Sequence, residues 1–165
     1  MRRTHALLVE WLARESLDLP VLLQGERSKN ELLERFRRLG NAILIGSQSF
    51  WEGVDVRGEA LSLVVIDKLP FAPPDDPVLS ARIERLKGQG RNAFMEYQLP
   101  RAVINVKQGA GRLIRDETDR GVLMICDPRL VSKPYGKRIW RSLPPMKRTR
   151  ELAEALAFFT AGSTA

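Results

Sequence analysis

One histidine, one cysteine and no long apolar run leave this 165-residue chain short of the groups on which much enzyme chemistry depends. The histidine, His5, falls in an N-terminal segment of helical spacing with no nucleophile beside it, which excludes a histidine-dependent triad within the chain. The cysteine, Cys126, can neither close an internal disulfide nor complete a cysteine-held metal site, and this fits a reducing compartment. No G-x-x-x-x-G-K-[ST] loop is present to cradle a triphosphate, and no D-E-x-H-type motif follows an apolar strand to hold magnesium. No apolar stretch approaches the ~18–20 residues that cross a bilayer. The basic start, MRRTHALLVEWLARESLD, is interrupted by His5, Glu10, Arg14 and Glu15, unlike the core of a signal peptide. The chain is expected to be soluble and cytoplasmic, without a membrane partner. It has no internal repeat and no low-complexity segment.

What is present describes one packed domain. Hydrophobic residues make up 44% of the chain, enough for a core, and the length suits one domain rather than two. The formal charge of +7 suggests a polyanionic partner, although many surfaces are basic without one.

Apolar runs at 20–24, 41–47, 61–67 and 121–127 read as strands. The last three are nearly continuous and rich in β-branched residues, as in parallel strands covered by helices on both faces. Helical spacing falls between them. Residues 28–40 carry a start signal, Ser28 with Glu31 three residues on, and a stop at Gly40. Further helices are expected at 4–16, 77–87, 91–98, 101–115 and in RTRELAEALAFF. This alternation predicts an α/β fold, a mainly parallel sheet flanked by helices. Ligands of such sheets sit beyond the carboxyl ends of the strands. The segment KLPFAPPDDPV (68–78), with four prolines in eleven residues, is expected to be a shaped surface loop.

Two stretches carry candidate chemistry. If 101–115 is helical at ~100° per residue, Gln108, Arg112 and Arg115 share an arc of about 60°. Val106, Ala110, Leu113 and Ile114 then face a core, while Gly109 and Gly111 leave room for an approaching group. Guanidinium forks suit phosphate oxygens because they donate two coplanar hydrogen bonds and stay charged. The alternative is a solvated helix face whose arginines pair with Asp116, Glu117 or Asp119. The second stretch, GSQSFWEGVDV (46–56), follows a strand and sets Glu52 and Asp55 beside Trp51. Those carboxylates could accept hydrogen bonds from a ribose or fix the arginines; equally, they could belong to an ordinary strand exit. Two arginines suited to phosphate, in a chain with no phosphate cradle, read as half a site.

These residues carry a resemblance. Gln108-Gly109-Ala110-Gly111-Arg112-Leu113-Ile114-Arg115 resembles motif VI, Q-x-x-G-R-x-x-R, of superfamily 2 helicases, and SFWEGVDV resembles motif V of their DinG/YoaA (XPD-like) branch. KLPFAPPDDPV and DPRLVSKPYGKRIWRSLPP are also similar to that branch, in the same order and spacing. The likeness covers roughly residues 17–160. It implies a RecA-like second motor domain of an ATP-dependent helicase that moves 5′ to 3′ on single-stranded DNA.

By that resemblance Arg112 and Arg115 are arginine fingers reaching ATP bound on the first motor domain. Gln108 and Gly111 lie at the nucleotide, and Glu52 and Asp55 couple it to the DNA side. Ser49, Trp51, Lys133, Lys137 and Arg138 are the expected DNA contacts. ATP and Mg²⁺ are held mainly by the first motor domain, which would also carry an iron–sulfur cluster. The chain, one helicase domain over 1–165, is expected to be a C-terminal fragment. By the resemblance it is expected to be without the family's first strand, motif IV and the whole first motor domain. Its expected partners are single-stranded DNA, that first motor domain and a replication or repair protein. A non-catalytic module binding single-stranded nucleic acid or a protein is the alternative.

Overall fold

The computed structural model describes residues 1–51, 61–73, 75–114 and 119–160, with the side chains of Ser49 and Trp51 outside the description. Its first half is a helix, α1 (Arg2–Arg14), followed by a parallel crossover, β1 (Val21–Leu23), α2 (Lys29–Leu39) and β2 (Ile43–Ile45), and by a one-turn helix, α3 (Gln48–Trp51). Val21 pairs with Ile43 and Leu23 with Ile45. The expected capping box starts α2. The Ser28 hydroxyl accepts the Glu31 N–H at 3.3 Å, and the Glu31 carboxylate accepts the Ser28 N–H at 3.0 Å. Gly40 ends the helix at φ +66°, a conformation that costs glycine little. Leu32, Leu33 and Phe36 form the buried face of α2 and pack with Leu22 and Phe50 into one core.

The second half repeats the crossover on a larger scale. β3 (Leu63–Ile66) leads through α4 (Pro77–Gly88), a π-helical turn at Phe94–Gln98 and α5 (Leu99–Ala110) to β4 (Val122–Ile125). β3 and β4 are parallel, with Ile66 opposite Ile125. Asp76 caps α4 by accepting the Val78 and Leu79 N–H groups at 2.9 and 3.1 Å, and Pro77 fills the first helical position, where no N–H is needed. The π-turn has a local cause. Pro100 has no N–H to return to the preceding turn, and the Leu99 N–H reaches the Phe94 carbonyl instead. Three further helices follow among the described residues: α6 (Arg129–Ser132), α7 (Gly136–Arg141) and α8 (Leu152–Thr160). Ile66, Leu69, Leu99, Val106 and Ile139 form the second core.

All four expected strands and the α/β alternation are present. Among the described residues they form two parallel pairs, β1–β2 and β3–β4, not one continuous sheet. The expectation of strands buried on both faces is corrected as well. Val64, Ile66, Leu123 and Ile125 pack into the second core, whereas Leu63, Val65 and Met124 are 43%, 52% and 48% exposed. α5 supplies its apolar stripe to one side of β3–β4, so side chains alternate between core and solvent. The helix expected over 101–115 starts earlier, at Leu99, and ends at Ala110. Gly109 and Gly111 are poor helix formers, and the chain tightens there into a turn. Arg112 N–H bonds to the Gly109 carbonyl at 3.2 Å and Leu113 N–H to that of Ala110 at 3.0 Å. No helix among the described residues is long and apolar enough to cross a membrane.

Candidate functional site

α5 is the element that the candidate segments share. Its stripe of Leu99, Ala102, Val106, Gly109 and Ala110 is buried, spaced at three or four residues as one helix face requires. The opposite face leaves Gln108 exposed on the last turn. Arg112 follows in the tight turn rather than on the helix, which corrects the shared arc. Arg115, Glu52 and Asp55 lie outside the described residues. Gly109 is buried against the core and offers no opening, while Gly111 is exposed.

The position of Arg112 is fixed from both sides. Ala110 before it is buried, and so is Leu113 after it. Gly121, just before β4, lies so close to the Leu113 side chain that a Cβ there would overlap it. Arg112 itself is half-buried, and its Nε is enclosed without a hydrogen-bond partner among the described residues. A buried N–H with no acceptor is costly. An oxygen arriving from outside the described residues would satisfy it, and a guanidinium, which only donates, suits an anionic one.

The segment after β2 also meets α5. α3 (Gln48–Trp51) packs against it and is anchored by the buried Phe50. The Gln24 carbonyl oxygen Oε1 accepts both the N–H and the hydroxyl of Ser47, at 2.7 and 3.0 Å, joining the exits of β1 and β2. Ser49 and Trp51 are thus carried on a helix held beside the one bearing Gln108.

α7 is the third neighbour of α5, through Val106 and the fully buried Ile139. Lys137 and Arg138 are exposed on α7, and Lys133, exposed, ends α6. α6 and α7 pack so closely that a Cβ at Gly136 would overlap the Leu130 carbonyl. The three lysine and arginine candidates therefore share one short rigid unit. Trp140 is half-buried, with the Arg148 guanidinium 4.0 Å from its ring centroid and that of Arg141 5.7 Å away.

Two residues to which sequence reasoning gave no role stand at the exit of β4. Asp127 is the one buried charged residue among those described, its side chain 3% exposed. Its carboxylate accepts the Leu69 N–H at 2.8 Å and the Arg129 N–H at 2.9 Å. Arg129 adds a forked contact, Nε to both oxygens at 3.0 Å and Nη2 to one at 2.6 Å. The Arg129 hydrogen bonds hold the Asp127 pKa down to about 2 against the opposing effect of burial, with help from the Leu69 amide. The sequence signal was an acid directly after an apolar run, two residues ahead of an arginine. Among the described residues no cluster of three or more His, Cys, Asp or Glu is placed to hold a metal ion.

Comparison with known proteins gives these positions a context. The model of a family described as the helicase C-terminal domain matches residues 1–146. The ATP-dependent DNA helicase YoaA of Escherichia coli is 59% identical over 151 residues, 92% of this chain and 24% of that protein. The ATP-dependent helicase DinG of Mycobacterium tuberculosis is 44% identical over 144 residues, 87% and 22% respectively. A Bacillus subtilis relative named 3′-5′ exonuclease DinG is 37% identical over 164 residues, 98% of this chain and 17% of that protein. The chain thus spans a quarter or less of the curated relatives it matches.

Proposed function

Because the chain belongs to the helicase C-terminal domain family, we propose that it is the RecA-like second motor domain of an ATP-dependent DNA helicase moving 5′ to 3′ on single strands. The observation that carries this reading is Arg112, whose enclosed Nε has no acceptor among the described residues although its backbone is fixed on both sides. Charge in phosphoryl transfer spreads over the transferred group's oxygens, and a positioned guanidinium stabilises it directly. Arg112 and Arg115 supply that charge to ATP and Mg²⁺ held mainly by the first motor domain of the longer protein. Gln108 and the exposed backbone at Gly111 lie against the nucleotide, and Glu52 and Asp55 relay its state to Ser49 and Trp51. An iron–sulfur cluster, which needs several thiolates, belongs to that first domain, since Cys126 is this chain's one cysteine. DNA lies along α3 and the α6–α7 unit, and a replication or repair protein is a further partner.

The test uses the full-length protein. Arg112→Ala and Arg115→Ala should each lower kcat for DNA-stimulated ATP hydrolysis by about a thousandfold or more, the worth of a finger supplied in trans. Thermal melting should barely change. Near-normal turnover in either variant removes that residue from the mechanism. The 165-residue chain alone should hydrolyse no ATP, because the adenine and the β-phosphate depend on the rest of the protein. If the full-length protein binds single strands yet never hydrolyses ATP, the chain belongs instead to a non-catalytic binding module.

A further inference from the structure

A charge is seldom enclosed unless it is paired, and Asp127 is enclosed at a place where no motif assigns it work. Its partners join two segments distant in sequence, the loop leaving β3, held through the Leu69 N–H, and the start of α6, held through Arg129. The Arg129 guanidinium, 40% exposed, lies 5.3 Å from the Phe71 ring centroid. Phe71 stacks on Phe94 at 5.7 Å and meets the edge of Tyr135 at 5.9 Å, while Phe94 and Tyr135 are 5.1 Å apart. Tyr135 immediately precedes α7, and its carbonyl accepts the Arg138 and Ile139 N–H groups at 3.0 and 3.3 Å. The loop is tied to α5 as well, where the Asn105 amide donates to the Pro70 carbonyl at 3.4 Å. A continuous chain of contacts therefore runs from the exit of β4 to the helix that carries Lys137 and Arg138.

We propose that Asp127 and Arg129 are positioning residues that set the orientation of the α6–α7 unit, and with it the engagement of single-stranded DNA by Lys133, Lys137 and Arg138. The proposal rests on the reading of the chain as a helicase domain. A buried ion pair is a poor way to gain stability, since well-packed apolar residues usually do as well. What the pair adds is direction. Nε and Nη2 form a planar fork on one carboxylate while the same guanidinium covers Phe71, and lysine, a point donor on a flexible stem, cannot reproduce both interactions.

The experiment compares full-length wild type, Asp127→Asn and Arg129→Lys for the single-stranded DNA concentration that half-saturates ATP hydrolysis. Both variants should need about tenfold more DNA, equivalent to ~1.4 kcal/mol, with kcat at saturating DNA within about twofold of wild type. The salt dependence should also become shallower, by ~0.7 in log–log slope for each DNA phosphate that the displaced unit no longer neutralises. A merely structural role would lower the melting temperature and the active fraction and leave half-saturation and salt slope where they were; that result overturns the proposal. So does additivity. In a Lys137→Ala, Arg138→Ala background Asp127→Asn should cost little more, because the effects share one surface. If Asp127→Asn does not accumulate as folded protein, Arg129→Lys, which keeps the charge, decides. A wild type whose hydrolysis ignores single-stranded DNA sinks the helicase reading itself, before any variant is compared.

Discussion

Ser47 and Gln24 stand 23 residues apart in sequence and meet through a single oxygen, which accepts the Ser47 amide at 2.7 Å and its hydroxyl at 3.0 Å. Gln24 immediately follows β1, where its N–H bonds to the Ile45 carbonyl at 2.9 Å, and Ser47 lies two residues beyond the end of β2. The clip fixes the spacing of the two strand exits, and α3 departs from the second of them.

Gln24→Ala removes both side-chain hydrogen bonds. At ~0.5–1.5 kcal/mol for each, the expected loss is about 1–3 kcal/mol in a urea unfolding experiment. A loss below that range would mean that Ser47 is equally well held without Gln24.

Gly136→Ala should be more damaging than helix propensity suggests, because Gly136 is buried. Alanine is ordinarily the better helix former, but here its Cβ meets the Leu130 carbonyl, and backbone cannot move aside cheaply. The variant is expected to unfold at lower urea and to loosen α6 from α7, read as faster amide exchange at Ile139. An alanine variant as stable as wild type would contradict the close approach.

Acid should act through Asp127. An aspartate in an unfolded chain ionises near 3.9, whereas here it is held to about 2. The folded state favours the ionised form, so its contribution is complete above about pH 4 and disappears as pH falls through 2. Asp127→Asn lacks this dependence. The stability gap between wild type and Asp127→Asn should be constant from pH 5 to 8 and close progressively between pH 4 and 2. A gap that does not narrow in acid would contradict the assignment.

Salt tests the basic unit. The 165-residue chain should bind single strands weakly, with little sequence preference. Replacing Lys137 and Arg138 together with alanine should flatten the slope of log affinity against log salt by up to about 1.4, at ~0.7 per phosphate. An unchanged titration would confine the DNA surface to the segment around α3 or to the remainder of the longer protein.

Much of the fold is legible in the sequence because it is local. The Ser28–Glu31 box and the Gly40 stop depend on neighbours within a few residues, and each appears as the pattern implies. The core face of α5 follows from spacing alone. What is not legible depends on partners distant in the chain. Whether Val65 is covered turns on what packs over β3, which no run of β-branched residues reveals. The expected helix runs through Gly111 to residue 115, yet two weak helix formers end it at Ala110. Asp127 draws no attention in the sequence because its value lies in the Leu69 amide, 58 residues earlier.

The wide turn before α5 also resets a phase. In a regular helix the residues in line with Leu99 one turn earlier would be Met95 and Glu96, and both are exposed. Spreading that turn over five residues brings Phe94 into line instead, where it reaches Phe71 and Tyr135. The turn behaves as a one-residue insertion that the helix absorbs without breaking. Deleting one residue between Phe94 and Leu99 would restore ordinary winding and swing the aromatic ring by about 100°, away from the trio to which it now belongs.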